Sequence, residues 1–249
     1  MSDTIKNQLQ HKTIRKFENR KIDEETLNKL FEVYNHVPTS TGMQQTSVIR
    51  VIDPKIKHQI MEVSTQSYLE EVPELLIFIV DLYRNYRIAD EKGYKEDAYS
   101  HMDKFFQGFT DAVISAQNMV VAMESIGLGA VYFGSILNDY DKMVEILNLP
   151  KYTFPVVGLG FGYPAEEPQL KPKMPVGLKV FENEYKVYDN YLETFKEYDD
   201  ITTTYYDTRD NGKRSDCFTD QVVKKFLSVN DVRRDVIKSI AKQGFEIRI

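Results

Sequence analysis

The segment HKTIRKF, residues 11–17, places His11, Lys12, Thr13 and Arg15 within five positions, ahead of a helix. Two cations, an imidazole and a hydroxyl suit an anion. Arg meets phosphate as a bidentate fork and Lys as a point charge. A second basic pair, Lys171 and Lys173, flanks Pro172 in a proline-punctuated loop. Between them in sequence lies YFGS (Tyr132, Phe133, Gly134, Ser135), where a glycine lets a flat ring approach the backbone closely. A third basic group, Arg209, Lys213 and Arg214, sits in the polar stretch TRDNGKRSD. Taken alone, each cluster reads as a solvated patch, and Asp207, Asp210 and Asp216 nearly neutralise the third.

Other chemistries find less support. GLGFG at 158–162 follows a strand but leads into a proline loop, whereas a dinucleotide fingerprint must open a helix. Its glycines are read as close backbone packing of a core strand. No P-loop motif and no nucleophile-elbow serine are present. The lone Cys217 is read as a small half-buried side chain. His11, His36, His58 and His101 are far apart, and none has a second ligand at metal-site spacing, so no bound metal is expected.

The elements that must position these groups follow from periodicity. Hydrophobic residues make up 42% of the 249-residue chain, enough for a sizeable core, and the net charge of −6 argues against nucleic-acid binding. No apolar run is long enough to span a membrane, and the N-terminus lacks a signal-peptide core. With a single cysteine, these features predict a cytoplasmic protein. A short helix is expected over 3–10 and a second from Asp23, with Leu27, Leu30, Phe31 and Tyr34 on one face. Strands are expected at 47–53, at 75–82 (LLIFIVDL, apolar enough to be buried on both faces), at AVYFGS and at FPVVGLGFGYP. Residues 112–126 are apolar nearly all round and predict a helix in the middle of the core. The alternation predicts an α+β fold with a central mixed sheet of four or five strands flanked by helices. The last third has thin hydrophobic patterning, which suggests a segment draped over a second subunit in an intertwined dimer.

In register along the chain, these motifs resemble the FMN-dependent nitroreductase superfamily, specifically its NADPH-dependent flavin reductase and nitroreductase group. HKTIRKF is similar to that group's H-R-S-I-R-x-F, TSTGMQQ stands at its serine-rich loop, and Gln66 precedes a tyrosine as it does there. Residues 111–139 resemble its long helix and following strand, LKPKMP its K-P-R-L-P loop, and TRDNGKRSDCFTDQ its C-terminal T-R-x-x-x-x-R segment. Lys12, Thr13 and Lys173 replace Arg, Ser and Arg; Gly42 and Phe218 replace a bulkier residue and Trp.

The resemblance implies a homodimer with FMN at the subunit interface and a single nitroreductase-like domain over 1–249. Its C-terminal part, from about 164, would wrap the dimer and carry the nucleotide loop. His11, Lys12, Thr13 and Arg15, with Lys171 and Lys173, would hold the phosphate and ribityl chain. Gln66 would bond the isoalloxazine side. Tyr132, Phe133, Gly134 and Ser135 would line the ring, and Thr39, Ser40, Thr41 and Met43 would come from the partner. Arg209, Lys213 and Arg214 would receive the 2′-phosphate of NADPH. The implied activity is ping-pong reduction of nitroaromatics, quinones, free flavin or oxygen at the expense of NADPH. A flavin carrier or sensor without turnover is the competing reading.

Overall fold

The protein is described by a computed structural model over residues 1–207, 213–214, 216–228 and 230–248; of residues 206, 207, 213 and 214 it describes the backbone. The chain divides into two compact units, Met1–Glu167 with Asn230–Ile249, and Pro168–Val229.

The first unit is built on a sheet of four strands, β1 (Thr46–Arg50), β2 (Glu74–Asp81), β3 (Gly129–Phe133) and β4 (Thr153–Gly162), in the order β1-β2-β4-β3, with helix α1 (Asp3–Leu9) ahead of β1 in the chain and α4 (Tyr83–Glu91) after β2. The sheet was expected to be mixed, yet all three pairings are antiparallel. Its parallel element is a single bridge between Thr13 and Ala130. A doubly covered strand has the same apolar texture in either orientation, so the run LLIFIVDL could not distinguish them.

β2 is buried on both faces, as its composition predicts. Leu76, Phe78 and Val80 join one core cluster, and Leu75, Ile77 and Ile79 the other, following the two-residue period of a strand. The first face packs against α2 (Glu24–Asn35) and α5 (Met102–Ser125), through Leu27, Leu30, Ala112, Ala116 and Met119. The second meets α3 (Pro54–Ser64) and α6 (Tyr140–Ile146), through Ile60 and Met143. Asp23 caps α2 by accepting from the Thr26 N–H at 2.8 Å, which fixes where that helix starts.

α5 differs from the expected fully enclosed helix. One face is buried, but Phe106, Val113 and Ile114 are 61%, 45% and 39% exposed. Apolar all round, it has cover on one side within a single chain.

The glycines of GLGFG serve packing, as read from the sequence. A Cβ on Gly160 would lie 2.8 Å from the Phe133 ring and 2.9 Å from Val72 Cγ1, both buried neighbours with little room to move. Gly160→Ala is therefore expected to lower stability by about 1–3 kcal/mol through overpacking. Chemical denaturation should show a lower midpoint with an unchanged slope, and an unchanged midpoint would refute the assignment.

The second unit holds α7 (Tyr191–Thr204), β5 (Tyr206–Asp207), β6 (Lys213–Arg214) and α8 (Phe218–Leu227). β5 and β6 pair antiparallel, Tyr206 opposite Arg214 and Asp207 opposite Lys213. Asp199 of α7 accepts from the Thr219 N–H at 2.9 Å, tying the two helices, and Phe218 stacks on Phe195 with ring centroids 5.8 Å apart. Cys217, half-buried, is the N-cap residue of α8.

Candidate active site

HKTIRKF runs beside β3. The Ile14 N–H donates to the Ala130 carbonyl at 3.0 Å, and further along the Glu18 N–H donates to Tyr163 at 2.9 Å. The segment thus sits at the edge of the sheet, where three carboxylates meet it. His11 Nδ1 lies 2.5 Å from Glu124 Oε1 at the end of α5. Lys12 Nζ pairs with Glu167 at 3.2 Å. The Arg15 and Lys16 backbone N–H groups both donate to Glu166 Oε1, at 2.7 and 3.0 Å. Arg15 stands apart, because its Nε is buried and has no hydrogen-bond partner among the described residues. A buried, unpaired donor on a fixed charge is costly, so this nitrogen is suited to meet an anion.

The C-terminal end of β3 carries the next group. Tyr132 donates its hydroxyl to Gln117 Oε1 at 3.2 Å, and burial with the nearby Glu124 charge raises its phenol pKa, so it stays a neutral donor. The Phe133 side chain points into the core, against the Tyr68 ring at 5.4 Å, which leaves its backbone as the part able to meet a ring. Tyr68 in turn donates to Gln66 Oε1. Ser135 Oγ is bonded to Ser64 Oγ at 2.6 Å. Gly134 has open space where a Cβ would stand. Gln66, Phe133, Gly134 and Ser135 therefore form one group at one end of β3, while Thr13 pairs at its other end.

Thr39, Ser40, Thr41 and Met43 lie in a loop ahead of β1. Positive φ values at Thr41, Gly42 and Gln44 make this loop conformationally demanding. Asp111 of α5 holds it: its buried carboxylate accepts from the Ser40 N–H at 2.8 Å and the Gln45 N–H at 3.2 Å. Asp111 and Glu124 hang from the same helix, about 20 Å apart along its axis at about 1.5 Å per residue. The loop is thus anchored far from the His11 pair within one chain. Asp111→Asn is expected to lower stability by about 1–2 kcal/mol, because an amide cannot accept at both oxygens. A thermal melt indistinguishable from that of the parent would show the clamp to be idle.

Sequence reasoning missed Asp111, Glu124 and Glu166, since each partner lies tens of residues away or more. The acid inside an otherwise apolar helix stretch was the one available signal for Asp111.

In the second unit, Lys171 lines a cavity of about 360 Å³ with Tyr198, Phe218 and Lys225, and Lys173 is exposed. Arg209 lies outside the described residues, as do the side chains of Lys213 and Arg214, whose backbone forms β6.

The site thus joins a basic segment at the sheet edge, whose buried Arg15 Nε has no hydrogen-bond partner among the described residues, to an open glycine turn at the far end of β3. Residues 9–163 match the nitroreductase family and residues 171–248 the C-terminal domain of that family. The chain belongs to the nitroreductase family and is an oxidoreductase. It is 35% identical over 250 residues to an NADPH-dependent oxidoreductase of Staphylococcus saprophyticus, covering 98% of this chain and 99% of the relative. The structure superposes on the NfrA1 nitroreductase from B. subtilis with a TM-score of 0.90 at 33% identity, covering 98% and 99% of the two chains. It superposes on the NADPH:FMN oxidoreductase from Vibrio harveyi complexed with NAD+ with a TM-score of 0.88 at 27% identity, covering 99% and 100%. No helix among the described residues is long and apolar enough to cross a membrane.

Proposed function

We propose that the chain is an NADPH-dependent FMN oxidoreductase acting as a homodimer, with residues 1–249 working as one functional unit. The observation that carries this is Arg15, whose buried Nε lacks a partner in a segment laid along β3. FMN, when bound, supplies the hydride chemistry. The chain's own residues bind and orient it. Arg15 meets the phosphate, joined by His11, Lys12 and Thr13, with Lys171 and Lys173 as the family resemblance implies. Gln66 and the backbone around Phe133, Gly134 and Ser135 face the ring, with Tyr132 as a neutral neighbour. Thr39, Ser40, Thr41 and Met43 reach the site from the partner subunit.

No acid–base pair is required of the protein, since the cofactor carries the hard chemistry. NADPH and the electron acceptor use the same place in turn, which gives ping-pong kinetics. Nitroaromatics, quinones, free flavin and oxygen are the acceptors that an open, tolerant site accommodates. Arg209, Lys213 and Arg214 supply the positive charge that prefers NADPH over NADH through its extra phosphate.

The visible spectrum tests this reading. Yellow protein that bleaches anaerobically on adding NADPH is expected. A colourless protein that takes up no added FMN overturns the reading. Retained colour that NADPH does not bleach leaves a flavin carrier instead. The nucleotide assignment is tested separately by kcat/KM for both nucleotides. Arg209→Ala and Arg214→Ala should lower the NADPH/NADH ratio, and a ratio unchanged in both would refute it.

A further inference from the structure

Away from the flavin site, the start of α5 meets the C-terminal tail. His101 is the N-cap residue of α5 and forms a parallel bridge with Glu246, whose N–H donates to the Ser100 carbonyl at 2.8 Å. The short 3₁₀ turn Ala98–Ser100 brings Asp97 round to the same side. His101 Nε2 lies 3.5 Å from Asp97 Oδ1 and 3.8 Å from Glu246 Oε2, and one ligand atom from each of the three residues lies within 4.8 Å of the other two.

Two features separate this cluster from an ordinary ion pair. The Nε2 atom of His101 and the Oε2 atom of Glu246 are both buried, yet neither has a hydrogen-bond partner among the described residues. Neither carboxylate contact of His101 is at hydrogen-bond distance. Arg248 Nε holds the other oxygen of Glu246, Oε1, at 2.8 Å, which turns Oε2 toward the imidazole as an outer partner orients a ligand. Around a zinc ion at about 2.0–2.1 Å, tetrahedral ligand atoms stand roughly 3.4 Å apart. The two histidine edges lie within a few tenths of an ångström of that spacing, and the carboxylate–carboxylate edge is no longer than 4.8 Å.

We propose that Asp97, His101 and Glu246 bind a divalent transition-metal ion that clips the C-terminal tail to the start of α5. One imidazole nitrogen and two carboxylate oxygens, without sulfur, suit a borderline ion such as Zn2+, with a fourth position left to water. This differs from the expectation of no metal, which considered only ligands near each histidine in sequence. Glu246 comes from the far end of the chain.

The test uses the full-length protein, stripped with chelator and titrated with Zn2+ alone by calorimetry. About one tight site per chain is expected. His101→Ala and Glu246→Gln should each raise its Kd at least about tenfold. His58→Ala, which removes the separate His58–Glu70 pair, should leave it unchanged. Zn2+ should raise the melting temperature of the parent and of His58→Ala but not of Glu246→Gln, a variant that keeps the backbone bridge. Absence of saturable binding, equal affinity in the parent and Glu246→Gln, or loss of the tight site in His58→Ala would each overturn the proposal.

Discussion

Replacing Arg15 with alanine is expected to weaken FMN binding by about 10- to 150-fold, whereas Lys12→Ala should cost no more than about fivefold. Charge explains part of the difference and surroundings the rest. The Arg15 Nε is buried and unpartnered in the free chain, so a phosphate supplies its missing bond without displacing another. A hydrogen bond to a charged group under those conditions is worth roughly 1.5–3 kcal/mol, which gives the larger range. Lys12 already pairs with Glu167, a largely exposed acid, and an exposed ion pair is worth only about 0–1 kcal/mol. Lys12 must exchange one weak partner for another. Arg15→Lys should recover only part of the loss, because an ammonium lacks the forked geometry. Fluorescence titration of apoprotein with FMN measures all three. Equal losses for Arg15→Ala and Lys12→Ala would remove Arg15 from its assigned place, even if the protein is yellow.

The same cluster shows how far local sequence carries. The anion-binding character of HKTIRKF is legible because its cations lie within five positions. Which cation stays free is not legible, since Glu124, Glu166 and Glu167 come from the end of α5 and the loop after β4. Likewise LLIFIVDL announces a strand covered on both faces, while the direction of its neighbours depends on connections that periodicity does not encode. The glycines at 158–162 were readable as packing because the helix that a nucleotide fingerprint needs is missing. The Asp97–His101–Glu246 cluster is the opposite case. Its first two members are four residues apart and unremarked, and only the fold brings the third.

The α5 helix supports the second large effect. Val113→Asp and Ile114→Asp are each expected to give a monomer that retains no FMN. Successive residues on a helix are about 100° apart, so Phe106, Val113 and Ile114 share a side, turned away from the sheet. All three are exposed in the single chain, on the helix that otherwise supplies Ala112, Ala116 and Met119 to the core. Burying an aliphatic or aromatic side chain of this size is worth roughly 1.5–3 kcal/mol, and a twofold interface repeats each gain. An aspartate there forfeits that gain twice and adds two carboxylates without partners. Loss of flavin follows from the position of the loop at Thr39–Met43. Asp111 fixes it about 20 Å along α5 from the His11–Glu124 pair, at about 1.5 Å per residue. In the proposed dimer the loop serves the partner's flavin, so a separated chain would keep only part of each site. Light scattering with absorbance at the flavin band reads both consequences at once. Variants that remain dimeric would exclude this face of α5 from the interface, whereas yellow, catalytically active monomers would show that one chain completes the site alone.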